Sequence, residues 1–244
     1  MTKEKPPFGH DRKVTVTSAY VAIMAMFVSK EETRYYFNGI HITPHEDGGV
    51  LMVATDGHRL AALLDSDGEA NGDWICPVPK LIASACRNNE NVDRFSPNKP
   101  KSRRCHFYGR AAFVADHNFP DGADPTEIGD CHMAIAPAAP IDGTFPDWRW
   151  AVPKERWVPR SVAPLTLAFN SEMLGDFGKV AGLMGQKGVG VDLYCGEPAG
   201  PSIVRIAAVP EFVGVQMPMK PAMADAEWPP PWLGLPEKKE VRDG

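Results

Sequence analysis

RYYFNGIHITPHEDGGVLMVATDGHRLAALL, residues 34–64, is the stretch whose reading decides the fold. Residues 34–43 and 50–55 are rich in aromatic and β-branched side chains, the composition of strands. Asp56-Gly57 follows the second run and is a strong two-residue hairpin signal. Residues 58–64 should therefore return antiparallel to the strand before them.

Working outward, the same order recurs three times: a short strand, an amphipathic helix, then two or three strands. In the first copy an alternating strand at 13–17 precedes a helix running from Ser18, a candidate N-cap, to about Lys30, and the decisive stretch follows. The second copy has a strand at 74–78, a helix at 79–87 with proline in its first turn, and strands at 105–115 and 131–136. Polar, proline-rich loops at 88–102 and 118–130 separate them. The third copy has a strand at 165–169, a helix from Ser171 to about Leu183 capped by Asn170 or Ser171, and strands at 189–194, 202–208 and 212–217. Beyond Pro218 the chain turns proline- and charge-rich, and 223–244 reads as a tail with little capacity to build core. By periodicity alone the class is α+β with repeated β-α-β units.

The 244 residues, 43% of them hydrophobic, suffice for a substantial core. The longest apolar run, residues 19–28, is about half of the ~20 a membrane-spanning helix requires, and residues 1–13 lack the layout of a secretory signal. The expected location is the cytoplasm, with no membrane partner. Five cysteines, widely spaced and without a Cys-x-x-Cys pair, read as reduced thiols, so neither a metal nor a cofactor is expected. The net charge of −5 argues against a surface that attracts nucleic acid all over, though a basic lining inside an acidic body would be averaged away. Asp56 and His58 invite an acid–base pair, but they share one tight turn, and the chain has no Gly-x-Ser-x-Gly or phosphate-cradling loop. No catalytic residue is assigned, and the protein is not expected to be an enzyme.

Residues 34–64 resemble the middle domain of the bacterial beta sliding clamp, the beta subunit of DNA polymerase III. The family signature there is a Tyr-Tyr-Leu-Asn-Gly strand and a Val-Ala-Thr-Asp-Gly-His-Arg-Leu hairpin. DGTFPDWRWAVP, residues 142–153, resembles the segment closing that domain, and VGVQMPMKP, residues 213–221, resembles the C-terminal end of the family. All three fall in the family's order. The resemblance implies a DNA clamp fold, α+β, in which repeated β-α-β-β(-β) modules turn helices toward a central hole and sheets outward. It implies an N-terminal extension at 1–12, a two-module clamp domain at 13–153, a half-domain at 154–222 resembling the C-terminal module, and a tail at 223–244. Three modules stand where the family has six.

What the resemblance implies for function is a processivity factor that encircles double-stranded DNA without reading its sequence and tethers a DNA polymerase, a clamp loader or repair factors. The family docks a short partner peptide, with a glutamine and apolar anchors, at positions matching Phe37, Thr55, Gly57, His58, Arg59, Leu60, Pro146, Ala151, Val215, Met217 and Met219. Leu60, Pro146, Val215 and the two methionines would form an apolar slot that repacks around different peptides, with His58 and Arg59 at its rim. Phe37 stands where the family usually has leucine, and Trp150-Ala151 where it often has Arg-Val. The candidate DNA-facing cations are Lys30, Lys80, Arg87, Lys179 and Lys187, on or just beyond the three helices. Since family rings close with twelve modules, a chain of three implies a homo-oligomer of four, joined head to tail. The alternative is a clamp-fold interaction protein, a decoy or adaptor that binds the same peptides without surrounding DNA.

Overall fold

The computed structural model describes residues 9, 11–87, 103–115, 132–153, 167–195 and 200–222. The expected loops at 88–102 and 118–130 and the tail at 223–244 lie outside the described residues. The first group of elements is β1 (Lys13–Thr17), α1 (Ser18–Met24), β2 (Gly39–Pro44), β3 (Val50–Thr55), β4 (Arg59–Asp65) and β5 (Glu69–Ala70). The second is β6 (Trp74–Pro77), α2 (Lys80–Arg87), β7 (Arg104–Tyr108), β8 (Ala111–Ala115) and β9 (His132–Pro137). The third is α3 (Ser171–Leu183), β10 (Val191–Tyr194), β11 (Ser202–Ile206) and β12 (Phe212–Gln216).

The first two groups interlock by exchanging their leading strands. β1, with β5 on its other edge, pairs antiparallel with β7 of the second group, in a five-stranded sheet of order β5-β1-β7-β8-β9. β6 crosses the other way and pairs with β2. The third group adds its strands to the far edge, β12 pairing with β4, so that the second sheet runs β10-β11-β12-β4-β3-β2-β6. α1 packs on both α2 and α3, and the main core fills the space between these helices and the inner faces of the sheets.

Several elements depart from the sequence expectation for local reasons. Thr17, not Ser18, precedes α1, and its side chain is committed elsewhere: its Oγ1 donates to Asp65 Oδ1 at 3.1 Å, while its backbone N–H donates to Oδ2 at 2.6 Å. α1 ends at Met24 and unwinds through Phe27 instead of reaching Lys30, because the Ser29 amide is taken by the Phe37 carbonyl at 2.9 Å. That bond closes residues 30–36 into a loop, so residues 34–38 form a single 3-10 turn rather than the start of a strand. Of the strand expected at 165–169, Leu165 and Thr166 lie outside the described residues. Ala168 makes one isolated bridge, to Met219.

Candidate functional site

Two surfaces flank the junction between β4 and β12, and the pleat decides which residues go to which. Opposite residues in a ladder point to the same face, and neighbours in a strand point to opposite faces. Leu60 opposes both Thr55 and Val215, while Val53 opposes Ala62. Leu60, Val215, Val53, Ala62 and Ile75 gather with Phe145 in a second apolar cluster on the face away from the helices, with Phe37 and Trp148 packed against it. Arg59, one residue before Leu60, must then point the other way, under the helices.

On the outer face the structure brings together Phe37, Thr55, Leu60 and Val215 from the expected peptide site. The segment 141–152 lies over them, held where the Ile141 amide donates to the Ile75 carbonyl at 2.9 Å. Phe145 packs between Phe37, ring centroids 5.6 Å apart, and His41, stacked at 4.6 Å. Leu60 and Val215 are only 4% and 2% exposed, so they form a floor already covered rather than an open slot. The apolar surface offered to solvent is Met217, 41% exposed, with Met219 at 53% and Trp150 at 81%. Met217 is fixed beside the hairpin because its amide donates to the His58 carbonyl at 3.0 Å, whereas Met219 bonds Ala168. Pro146 and Ala151 are exposed on the covering segment.

Asp56 shapes the hairpin itself. Its Oδ1 accepts the amides of His58 and Arg59, both at 3.0 Å, and Gly57 between them takes a φ of 88° that disfavours other residues. The Asp56 carboxylate is thereby occupied by backbone donors and by Arg59 Nε, so it makes no acid–base pair with His58.

Arg59 is not at the rim. It is buried, and its guanidinium donates to Asp56 Oδ2 at 3.0 Å, to Asp176 Oδ2 at 2.7 Å, and to the carbonyls of Met173 at 3.1 Å and Met26 at 2.8 Å, while lying over the Phe27 ring. One side chain thus binds the hairpin, the end of α1 and the start of α3. Burial works against the Asp176 carboxylate, but bonds from Lys179 and Arg59 outweigh it and hold its pKa below the ordinary value. Phe27, Phe177 and Phe212 pack beneath, with centroids 5.0 to 6.2 Å apart, and the Tyr20 hydroxyl donates to Glu211 at 2.6 Å.

The helix side of this junction opens into a cleft of about 960 Å³, lined among others by Lys30, Arg87 and Lys179, three of the five expected DNA-facing cations. His58 lines it too, on the opposite side from the expected peptide site. Lys179 is tied to Asp176 at 2.6 Å, while Lys30 and Arg87 make no ion pair among the described residues. Lys80 and Lys187 are exposed but do not line the cleft. Among the described residues no group of three His, Cys, Asp or Glu side chains converges to hold a metal, and no helix is long and apolar enough to cross a membrane.

The aromatic residues of the covering segment, Phe145, Trp148 and Trp150, were absent from the expected site. Their signal was present in the sequence, since DGTFPDWRW carries three aromatics within the six residues 145–150.

Comparison with known proteins agrees with this geometry. Residues 14–91 match the family described as DNA polymerase III beta subunit, central domain. The beta sliding clamp of Caulobacter vibrioides is 28% identical over 134 residues, covering 52% of this chain and 30% of that protein, so the match spans under a third of the relative's length. Among solved structures, a sliding clamp from Bartonella birtlesii bound to griselimycin has a TM-score of 0.54 at 18% identity, covering 90% of this chain and 69% of that one. The beta subunit from Borrelia burgdorferi in complex with a natural product has a TM-score of 0.57 at 14% identity, covering 89% and 66%. Residues 14–91 are therefore similar to the central domain of the DNA polymerase III beta subunit, and the chain has the fold of the bacterial sliding clamps.

Proposed function

We propose that the protein is a sliding clamp: an oligomer of this chain surrounds double-stranded DNA, its helices facing the duplex, and tethers a polymerase or another replication or repair partner through a short peptide held on the outer sheet face. The observation that carries the proposal is the division of labour across the β4–β12 junction. Arg87 of α2, Lys179 of α3 and Lys30 of the segment after α1 share one cleft, and the apolar cluster bordered by Met217 lies on the opposite face of the same sheet. A protein that grips DNA and a partner at once needs those surfaces back to back.

The chemistry suits both contacts. With Lys179 and Arg59 engaged by carboxylates, Lys30 and Arg87 supply a small positive charge, enough to favour phosphates without fixing a position. On the other face Met217 offers an unbranched, polarizable side chain that adapts to different anchors. The protein has no catalytic part in this reading; its partners perform the chemistry.

The test is a titration with a synthetic peptide bearing a glutamine and two or three apolar anchors. Met217→Glu places a charge at an exposed position, so the expected outcome is at least tenfold weaker binding with an unchanged unfolding temperature. Equal affinity in the variant and the native chain would overturn the assignment of this surface.

A further inference from the structure

Sulfur is unevenly placed in this chain. Met24 and Met52 are 0% exposed, and Met26, Met173 and Met184 are half-buried, with the Met173 Sδ engaged by Gln216 Nε2 at 4.0 Å. Cys76, Cys86 and Cys105 are buried as well. Burial pushes the Cys76 thiol up to about 11, so it stays protonated and is a poor nucleophile. Among the described residues the methionines exposed to solvent are Met217 and Met219, and both belong to the apolar surface beside the peptide-site hairpin. Their placement is fixed by the backbone. The Met217 amide is held by the His58 carbonyl and the Met219 amide by the Ala168 carbonyl, while the ring of Pro218 fixes φ between them. Neither side chain joins an apolar cluster of the fold, so a chemical change at either sulfur leaves the core untouched.

We infer that Met217 and Met219 form a reversible oxidation site, and that their conversion to sulfoxides by a peroxide releases the partner peptide from this face. The inference rests on the reading of this face as the peptide-docking surface. In the step, the Sδ lone pair attacks one peroxide oxygen, the O–O bond breaks and an S–O bond forms. Sulfur is oxidised by two electrons and the peroxide is reduced by two. With hydrogen peroxide, the departing hydroxide takes the proton of the transferred oxygen and leaves as water. The reverse reaction belongs to a sulfoxide reductase, whose two thiols become a disulfide as the oxygen is released as water.

The effect on binding follows from the change in the side chain. Methionine is flexible, apolar and polarizable, so it repacks around different anchors. Its sulfoxide is polar and chiral, and the new oxygen holds water that an apolar anchor displaces without replacing. Affinity for a peptide with apolar anchors therefore falls while the fold persists. Lys30 and Arg87, on the opposite face of the sheet, carry no sulfur to oxidise, so the cleft keeps its charge while the partner leaves.

The test uses the full chain and a synthetic peptide with a glutamine and apolar anchors. Hydrogen peroxide is added in limited amount and removed with catalase, and mass spectrometry of the digested chain follows each methionine. Met217 and Met219 are expected to gain oxygen before the other described methionines, with the unfolding temperature unchanged and peptide affinity weaker by roughly fivefold or more. Dithiothreitol alone should leave the affinity low, and dithiothreitol with methionine sulfoxide reductases for both epimers should restore it. The double variant Met217→Leu, Met219→Leu, whatever its starting affinity, should show no further change on treatment. Earlier oxidation of the buried methionines, or unchanged affinity once Met217 and Met219 are oxidised, would overturn the site. So would a response that persists in the double variant, or recovery with dithiothreitol alone, which assigns the effect to a cysteine. A reduced native chain that fails to bind the peptide would instead overturn the docking reading, and the order of oxidation would then decide the modification site by itself.

Discussion

Arg59 carries its charge into a place that water barely reaches, and four of its N–H donors meet two carboxylates and two carbonyls there. Removing one partner of a buried ion pair leaves the others uncompensated, at a cost of about 3–5 kcal/mol. Arg59→Ala should therefore lower stability by about that amount, far more than Lys30→Ala on the exposed cleft wall, as denaturant unfolding would show. His106 supplies a second residue-level outcome. Burial first, and then the charge of Arg104, lower its pKa from 6.5 to about 4. The folded chain keeps this ring neutral while the unfolded chain protonates it, so the unfolded state binds more protons between those values and stability falls as pH drops from 6.5 toward 4. The loss across that window is on the order of 3 kcal/mol, and His106→Gln should flatten it. Asp176 acts at lower pH. Its pKa is depressed, so its contribution is complete above the ordinary carboxylate value of 3.8 and is lost as pH falls through the lowered one.

At the scale of elements, α3 is held by a close approach at Gly214. A Cβ there would stand 2.3 Å from the Phe177 ring, which is already wedged against Phe27 and Phe212. Gly214→Ala should cost about 1–3 kcal/mol and loosen α3 first, visible as faster amide exchange in that helix than in α2. What the sequence made legible at this scale was local. Asp56-Gly57 marked the hairpin, and Asn170 marked the start of α3, where its side chain accepts the amides of Glu172 and Met173. The exchange of β1 and β6 was not legible, because it depends on pairings across some 35 to 95 residues that no local pattern encodes. The candidate peptide site was half legible for the same kind of reason. Leu60 and Arg59 match the family side by side, but strand alternation sends one outward and the other beneath the helices. Leu60 also proves to be covered, so a charge there would disrupt the sheet cluster, and the exposed Met217 is the cleaner probe of peptide binding.

At the scale of the whole molecule, a net charge of −5 and a DNA-facing surface are compatible because the cations are gathered. Arg87 of α2 and Lys179 of α3 converge with Lys30, from the segment after α1, onto one cleft, whereas the acidic surplus is spread over the rest of the chain. Under the proposed clamp function their weakness as a group is useful, since a clamp that bound phosphates tightly would not slide. Each phosphate contact adds about −0.9 to the slope of log affinity against log salt, so reversing Lys30 and Arg87 to Glu should flatten that slope and shorten retention equally on any sequence. Encirclement makes the sharper demand that retention depend on the topology of the DNA. The protein is placed, with a suitable loading activity, on a closed or nicked circular duplex, and its dwell time is compared before and after the circle is cut once. The clamp account predicts long retention on the circle and rapid loss from the free ends after cutting, whereas equal dwell times on circular and linear DNA, or no retention on either, would contradict it.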